Sequence, residues 1–217
     1  DAPSGDVVFD VSASDTGEAT VSASTLTFTN GNWNTPQTVT VTGIDDSLDD
    51  GDQSSTVTVA VNAGSTADNN FDALADSQVT VTTTDNDTSG VATSVASITV
   101  SEAGTTGTFT VVLDSQPTGN VVFDVSASDT GEATVDSSSL TFTTGNWDTP
   151  QTVTITGVDD NLDDGDQNST VTVAINTGST ADSSYDALGA QTVAVSTIDD
   201  DGPGFTISTT AVTVSET

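Results

Sequence analysis

Apolar and polar residues alternate along most of the chain with a period of two, which predicts β-strands and very little helix. Val, Thr, Ile and Phe supply this alternation, and Gly, Asp and Asn bound each run. In the second half of the chain the runs predict seven strands, near residues 97–100, 107–113, 120–126, 139–143, 151–156, 169–176 and 191–197. Seven short strands separated by turns are typical of an antiparallel β-sandwich.

The same alternation predicts which side chains face the core of the sandwich. The positions predicted to face inward are Val153, Ile155, Val171, Val173 and Ile175. The positions predicted to face outward are Thr154, Thr156, Thr170 and Thr172.

The chain contains an internal repeat with a period of 114 residues. It aligns with itself at this shift without a gap, so that Pro3 falls on Pro117 (117 − 3 = 114). Residues 7–21 recur letter for letter at 121–135. The repeat predicts a partial sandwich at 1–90 that lacks its first two strands, a complete one at 91–203, and the first strand of a following repeat at 204–217. An excerpt from a longer array would have this form, and so would a subunit that donates its last strand to another copy.

The composition excludes several classes of function. The 217 residues include 33 acidic residues and no Lys, Arg or His, for a formal net charge of −33. No side chain can neutralise phosphates, so we expect no binding to nucleic acid and no attraction to anionic membranes. The absence of His, Lys, Arg and Cys removes most catalytic acids, bases and nucleophiles, so we expect no enzyme activity. No apolar run is long enough for membrane insertion.

The acidic residues are concentrated in a few loops. Five carboxylates fall within eight positions in each repeat, at Asp159, Asp160, Asp163, Asp164 and Asp166, and at Asp45, Asp46, Asp49, Asp50 and Asp52. A second acidic run closes each repeat, at Asp199, Asp200 and Asp201, and at Asp85 and Asp87. Carboxylates packed this closely repel one another unless a cation binds, and their oxygens suit Ca²⁺. The alternative interpretation is a solvated acidic turn, in which Asp is present for its turn propensity.

Several motifs, in their order along the chain, resemble the Calx-beta domain. They are Thr99-Val100-Ser101-Glu102, Leu140-Thr141-Phe142 with Gly145, Val153-Thr154-Ile155 leading to Asp159-Asp160, and the closing run at 199–201. The resemblance implies a seven-stranded sandwich of immunoglobulin-like shape that binds Ca²⁺ at one end. It implies calcium ligands at Glu102, Asp159, Asp160 and Asp199–Asp201, and at Asp45, Asp46, Asp85 and Asp87 in the first repeat. The Asp-Tyr pair of that family is absent, and Asp129 and Glu132 occupy its neighbourhood.

Two other recurring features have alternative interpretations. The loop at 179–188, with its copy at 65–74, is either a ligand loop or an ordered loop whose aromatic residue closes the end of the sandwich. Trp147 and its copy Trp33 either stack on a sugar or cover the edge of the sandwich.

Together these features predict a calcium-binding structural repeat that extends and stiffens a bacterial adhesin or extracellular fibre at the cell surface. Its partners would be neighbouring repeats of the same protein. The alternatives are a module that binds a glycan or a protein partner, and a filament subunit that self-assembles by strand donation.

Overall fold

The computed structural model describes residues 1–208 and 211–216, which form β-strands joined by turns and two short 3-10 helices. The chain divides into two compact units, Asp1–Asp87 (unit 1) and Thr88–Thr217 (unit 2). The division lies within the short acidic segment that separates the two repeats.

The strands of unit 1 are β1 (Val7–Ala13), β2 (Ala19–Val21), β3 (Thr25–Phe28), β4 (Val41–Gly43), β5 (Gln53–Val61) and β6 (Ser77–Thr83). Those of unit 2 are β7 (Val91–Thr93), β8 (Ser97–Ser101), β9 (Thr106–Leu113), β10 (Val121–Ala127), β11 (Ala133–Val135), β12 (Ser139–Phe142), β13 (Gln151–Gly157), β14 (Gln167–Ile175) and β15 (Gln191–Ile198). All seven strands predicted for the second repeat are present, and β7 and β11 are two short additional ones.

Unit 2 is a β-sandwich, which confirms the predicted all-β fold class. One sheet has the order β12-β10-β14-β15-β8 and the other β11-β13-β9-β7. Neighbouring strands are antiparallel except β15 and β8, which run parallel from Ala194 opposite Ser97 to Ile198 opposite Ser101. No hairpin joins these two strands, because β8 follows β7 of the opposite sheet and β15 is the last strand among the described residues of unit 2. The connection therefore does not impose an antiparallel pair.

The core of unit 2 lies between the two sheets. Val153, Ile155, Val171 and Val173 are buried there as predicted, whereas Ile175 is only partly buried. The largest buried side chains include four aromatic residues, Phe109, Phe123, Phe142 and Tyr185. The predicted outward-facing threonines remain partly accessible. The period-two pattern therefore predicts the inner and outer faces of β13 and β14 correctly.

Unit 1 repeats this arrangement only in part. Its strands form a sheet of order β3-β1-β5-β6 and a separate β2-β4 pair, and all of its residues are described. It contains no counterparts of β7, β8 and β9, because Asp1 aligns with Ser115. An apolar cavity of about 250 Å³ therefore opens beside Phe9, Phe28 and Trp33.

The segment 204–217 follows β15. Its described residues, 204–208 and 211–216, form no strand, while Thr209, Thr210 and Thr217 lie outside the described residues. The first strand of a following repeat stays a prediction.

Candidate metal centre

Three acidic segments of unit 2 come together at one end of the sandwich. Glu102 directly follows β8, residues 158–166 connect β13 to β14, and residues 199–201 follow β15. Because β8 is parallel to β15 and β14 is antiparallel to it, the end of β8, the end of β15 and the start of β14 lie at the same end of their sheet. Carboxylates that are distant in sequence therefore become neighbours.

The first carboxylate group consists of Glu102, Asp199 and Asp201. One carboxylate oxygen of each lies within 4.8 Å of the others. Glu102 is only 1% exposed, and its Oε2 atom is buried without a hydrogen-bond partner. Burial raises the pKa of Glu102, and the negative charges of Asp199 and Asp160 raise it further. A buried carboxylate oxygen without a donor is costly, and a bound cation would satisfy it.

The second group consists of Glu132, Asp160 and Asp164, again with one oxygen of each within 4.8 Å of the others. Glu132 is half-buried, and its Oε2 atom is also buried without a hydrogen-bond partner. Its pKa is raised by burial and then by the charge of Asp164. Glu132 is not among the ligands predicted from the sequence. Glutamate occurs at only four positions in a chain whose other acids are all Asp, and that rarity is a signal that could have identified it.

Hydrogen bonds to backbone amides hold the acidic loop in place. Asp199 accepts from the Gly165 N–H at 2.7 Å and from the Asp201 N–H at 2.8 Å. Gly165 has a φ of 76°, a left-handed conformation that favours glycine. Asp166 accepts from the Asp199 N–H at 3.3 Å, which ties the start of β14 to the end of β15. Asp166 therefore uses one oxygen to brace the loop.

The remaining predicted ligands of unit 2 lie outside both groups, as far as the described residues extend. Asp159 and Asp200 line the pocket that also contains Glu102 and Gly157. Asp163 is exposed in the same loop. The structure thus brings together five of the predicted ligands, Glu102, Asp160, Asp164, Asp199 and Asp201, and adds Glu132.

Unit 1 keeps the loop hydrogen bonds but not the carboxylate groups. Asp85 accepts from the Gly51 N–H at 2.7 Å and from the Asp87 N–H at 2.8 Å. Those two bonds lower the pKa of Asp85. Among the described residues, no three carboxylates of unit 1 approach one another as closely as those of unit 2.

The predicted ligands of unit 1 are spread over its acidic end. Asp46, Asp50, Asp85 and Asp87 line one pocket with Glu18, the counterpart of Glu132. Asp45 lines an adjacent groove, Asp49 lies half-buried in the loop, and Asp52 accepts a hydrogen bond from the Asp85 N–H at 3.1 Å. Unit 1 has no residue equivalent to Glu102, because Glu102 aligns with a position before Asp1.

In unit 2, the loop at 179–188 is held by hydrogen bonds to the segment that precedes β10. Asp182 is buried and accepts from the N–H of Thr118 at 2.6 Å and from its hydroxyl at 2.9 Å. Tyr185 is buried too, and its hydroxyl donates to the Ser115 carbonyl at 2.6 Å. Trp147 packs against the core, whereas Trp33 in unit 1 is 42% exposed. This loop connects the end of β14 to the start of β15. It therefore closes the end of the sandwich opposite the acidic end.

The ligand chemistry of the acidic end fits a hard divalent cation. Every available side-chain donor in the two groups is a carboxylate oxygen. Ca²⁺ takes six to eight oxygen ligands in flexible geometry, while thiolate and imidazole ligands, which suit softer metals, are absent from the sequence.

Comparisons with known proteins identify no family. No protein-family model matches the chain, and no curated protein matches it. Domains 4 and 5 of the S-layer protein SbsC match with 16% identity and a TM-score of 0.40, over 88% of this chain and 70% of that one. The apo-form Calx CBD1 domain matches with 16% identity and a TM-score of 0.38, over 51% of this chain and 96% of that one.

A GH5 xyloglucanase from Bacteroides ovatus matches with 16% identity and a TM-score of 0.35, over 54% of this chain and 20% of that one. At these identities and TM-scores, the matches carry no argument about function.

The described residues contain no helix of the length and hydrophobicity needed to cross a bilayer.

Proposed function

We propose that this chain is a calcium-binding structural repeat, and that unit 2 holds Ca²⁺ through the carboxylates at its acidic end. The observation that carries this proposal is Glu102, a buried carboxylate whose Oε2 atom has no hydrogen-bond partner and which lies beside Asp199 and Asp201. No Lys, Arg or His exists in the chain to neutralise this group. A bound cation would remove both the unsatisfied oxygen and the repulsion between the carboxylates.

The second carboxylate group offers a site for another ion. Glu132, Asp160 and Asp164 have the same features as the first group, namely close oxygens and a buried Oε2 atom without a donor. Asp160 also raises the pKa of Glu102 by its charge, so the two groups are electrostatically coupled. Two cations would therefore neutralise adjacent carboxylates that otherwise repel one another.

The mechanical role in this proposal follows from how the ligands are distributed. The Glu102 group joins the end of β8 to the end of β15, and the Glu132 group joins the residue before β11 to the loop after β13. Calcium would thus clamp strands from both sheets at one end of each complete repeat. Tandem repeats clamped in this way would extend and stiffen a bacterial surface adhesin or extracellular fibre, with neighbouring repeats as partners.

Calcium titration calorimetry of the full chain, with thermal melting in calcium and in EDTA, tests the proposal. Binding to the folded state adds RT ln(1 + [L]/Kd), which is about 2.7 kcal/mol per site at a hundredfold excess over Kd. We expect calcium to raise the Tm of unit 2, and E102Q to lose the part of this increase that binding at the Glu102 group contributes. D163N is the matched control, since it removes one charge from the same end of unit 2 but lies outside both groups.

Small-angle X-ray scattering tests the mechanical part of the proposal. We expect the maximum dimension of the chain to be larger and its flexibility smaller in calcium than in EDTA. No heat of binding, together with equal melting curves in calcium and EDTA, would refute the calcium site. Calcium binding without any change in scattering would refute the stiffening role alone.

A further inference from the structure

Gly157 allows two strands from opposite sheets to touch through their backbones. It is the last residue of β13 in the four-stranded sheet, and Ser101 is the last residue of β8 in the five-stranded sheet. A Cβ atom on Gly157 would lie 2.7 Å from the Ser101 carbonyl carbon and closer still to its oxygen. Facing sheets are normally about 10 Å apart, so this is a local convergence of the sandwich.

The conformation of Gly157 does not itself require glycine. The glycines with positive φ are Gly51, Gly104 and Gly165 among the described residues, and Gly157 is not one of them. The missing side chain at Gly157 therefore provides space and not backbone freedom. That space is filled by the backbone of Ser101, which cannot rotate away as a flexible side chain could.

The converging backbones determine where Glu102 lies, because Glu102 directly follows Ser101. The Gly157 N–H donates to the Thr105 carbonyl at 3.1 Å, and the Glu102 N–H donates to the Ile198 carbonyl at 3.1 Å. The Ser101 N–H also donates to the Thr105 hydroxyl oxygen at 2.7 Å. The turn at 101–105 is thus held between β13 of one sheet and β15 of the other.

We infer that Gly157 is a positioning residue for calcium binding, which acts by letting the Glu102 carboxylate reach Asp199 and Asp201. This inference rests on the proposed function. Any side chain at position 157 would push Ser101 away from β13 and move Glu102 with it. The acidic residues that follow β15 would stay, because Asp199 is held by its own hydrogen bonds to Gly165 and Asp201.

Unit 1 supplies a matched control at Gly43, the counterpart of Gly157 (157 − 43 = 114). A Cβ atom on Gly43 would meet only the methyl group of Thr83, at 3.4 Å. Both glycines end equivalent strands and precede equivalent acidic loops. G43A therefore adds the same methyl group in the same sequence context without displacing a ligand.

The test is a site-resolved calcium titration of the full chain, followed by the amide NMR signals of Glu102 and Asp200. We expect G157A to weaken calcium binding at this site by roughly 10- to 100-fold, the range for residues that orient metal ligands. G43A should leave the affinity at this site unchanged. The double variant G157A/E102Q completes a double-mutant cycle, in which E102Q should cost much less affinity than it does in the wild-type chain.

Terbium luminescence provides a readout that a general loss of stability would not change. Lifetimes in H₂O and D₂O count the water molecules bound to the ion, and a displaced Glu102 should be replaced by additional water in G157A. Wild-type affinity in G157A would overturn the inference, and so would independent effects of G157A and E102Q in the cycle. An E102Q chain that binds calcium as the wild type does would instead contradict the proposed function.

A second variant loosens the same turn without adding atoms, in case G157A does not fold. T105A removes the hydroxyl oxygen that accepts from the Ser101 N–H. We expect T105A to weaken calcium binding at Glu102 and to show the same coupling with E102Q. Wild-type calcium affinity in T105A would overturn the role of this turn in positioning Glu102.

Discussion

Val79 and Val193 occupy the same position in two copies of one sequence, yet Val79 is 59% exposed and Val193 is fully buried. Both lie in strands that pair with an equivalent neighbour, β6 with β5 and β15 with β14. What differs is the surroundings of the strand: unit 2 has β8 beside β15 in the same sheet and β7 and β9 in the opposing sheet, and unit 1 has no counterparts of these three strands. The strands thus form from local pattern and pairing, whereas burial depends on segments far away in sequence.

The acidic ends differ in the same way. The two hydrogen bonds that the Asp85 side chain accepts in unit 1 have the same lengths as those that Asp199 accepts in unit 2, 2.7 Å and 2.8 Å, because they connect residues within one repeat. The close carboxylate groups occur only in unit 2 among the described residues. Loop shape is therefore a local property of the repeat, and ligand convergence requires the complete sandwich.

The largest effect expected from this comparison is on the aromatic core. F142A should lower the free energy of unfolding of unit 2 by about 3–5 kcal/mol, since Phe142 is fully buried beside Phe123. The equivalent change F28A should cost unit 1 only about 1–2 kcal/mol, because Phe28 is half-buried and lines an open cavity. Hydrogen exchange with peptide-level mass spectrometry measures each unit separately. Equal losses would show that the two cores are equally closed.

A smaller loss of stability is expected at the end of the sandwich that the loop at 179–188 closes. Y185F should destabilise unit 2 by about 1–2 kcal/mol, because it removes the hydroxyl that donates to the Ser115 carbonyl in a buried site. Unit 1 already has Phe71 at the equivalent position and serves as an internal reference. Chemical denaturation followed by hydrogen exchange gives the loss. An unchanged unit 2 would indicate that the hydroxyl makes no net contribution to stability.

The smallest effect on stability is expected at Asp182 and its counterpart Asp68, and it should have the same direction in both units. Burial acts to raise the pKa of Asp182, but hydrogen bonds from Thr118 and Ser184 outweigh it and lower the pKa. Hydrogen bonds from Ser4 and then Asn70 lower the pKa of Asp68, its counterpart. Both aspartates therefore contribute stability above the ordinary pKa of Asp, about 3.9, and this stability is lost as pH falls through the lowered value.

Asparagine variants of these two residues measure that contribution. D182N should cost unit 2 about 1 kcal/mol at pH 7, and D68N should change unit 1 in the same direction. Each variant should also lose less stability than the wild type between pH 4 and pH 2 (about the range below the ordinary pKa). Melting curves across this range, at constant ionic strength, provide the measurement. A steeper acid dependence in D182N than in the wild type would contradict the pKa direction.

The sequence predicted those parts of the fold that depend on local pattern. The alternation in β13 and β14 gave the correct inward positions, from Val153 to Val173, because a strand has only two faces. It did not predict the parallel pairing of β15 with β8, which joins the two ends of the unit and has no turn motif. Nor did it predict β7 and β11, which have only three residues each and are too short for a clear period.

The location and the chemistry of the candidate site were predicted better than the exact set of residues that form it. The acidic loops are evident because Asp is concentrated in them. Glu132 was missed because it lies in a segment that precedes a short strand and contains no acidic run. Asp160 joins a group and Asp163 does not, although both belong to the same acidic run, and composition alone does not distinguish them.

The parallel pairing of β8 and β15 determines how unit 2 would resist a mechanical force applied along these strands. A pull reaching β8 from its N-terminal side and β15 from its C-terminal side acts along both strands in opposite directions. The hydrogen bonds from Ala194–Ser97 to Ile198–Ser101 would then be loaded together in shear, and not opened one at a time as in a zipper. The Glu102 group lies at the end of both strands, where a bound ion would add its own resistance to sliding.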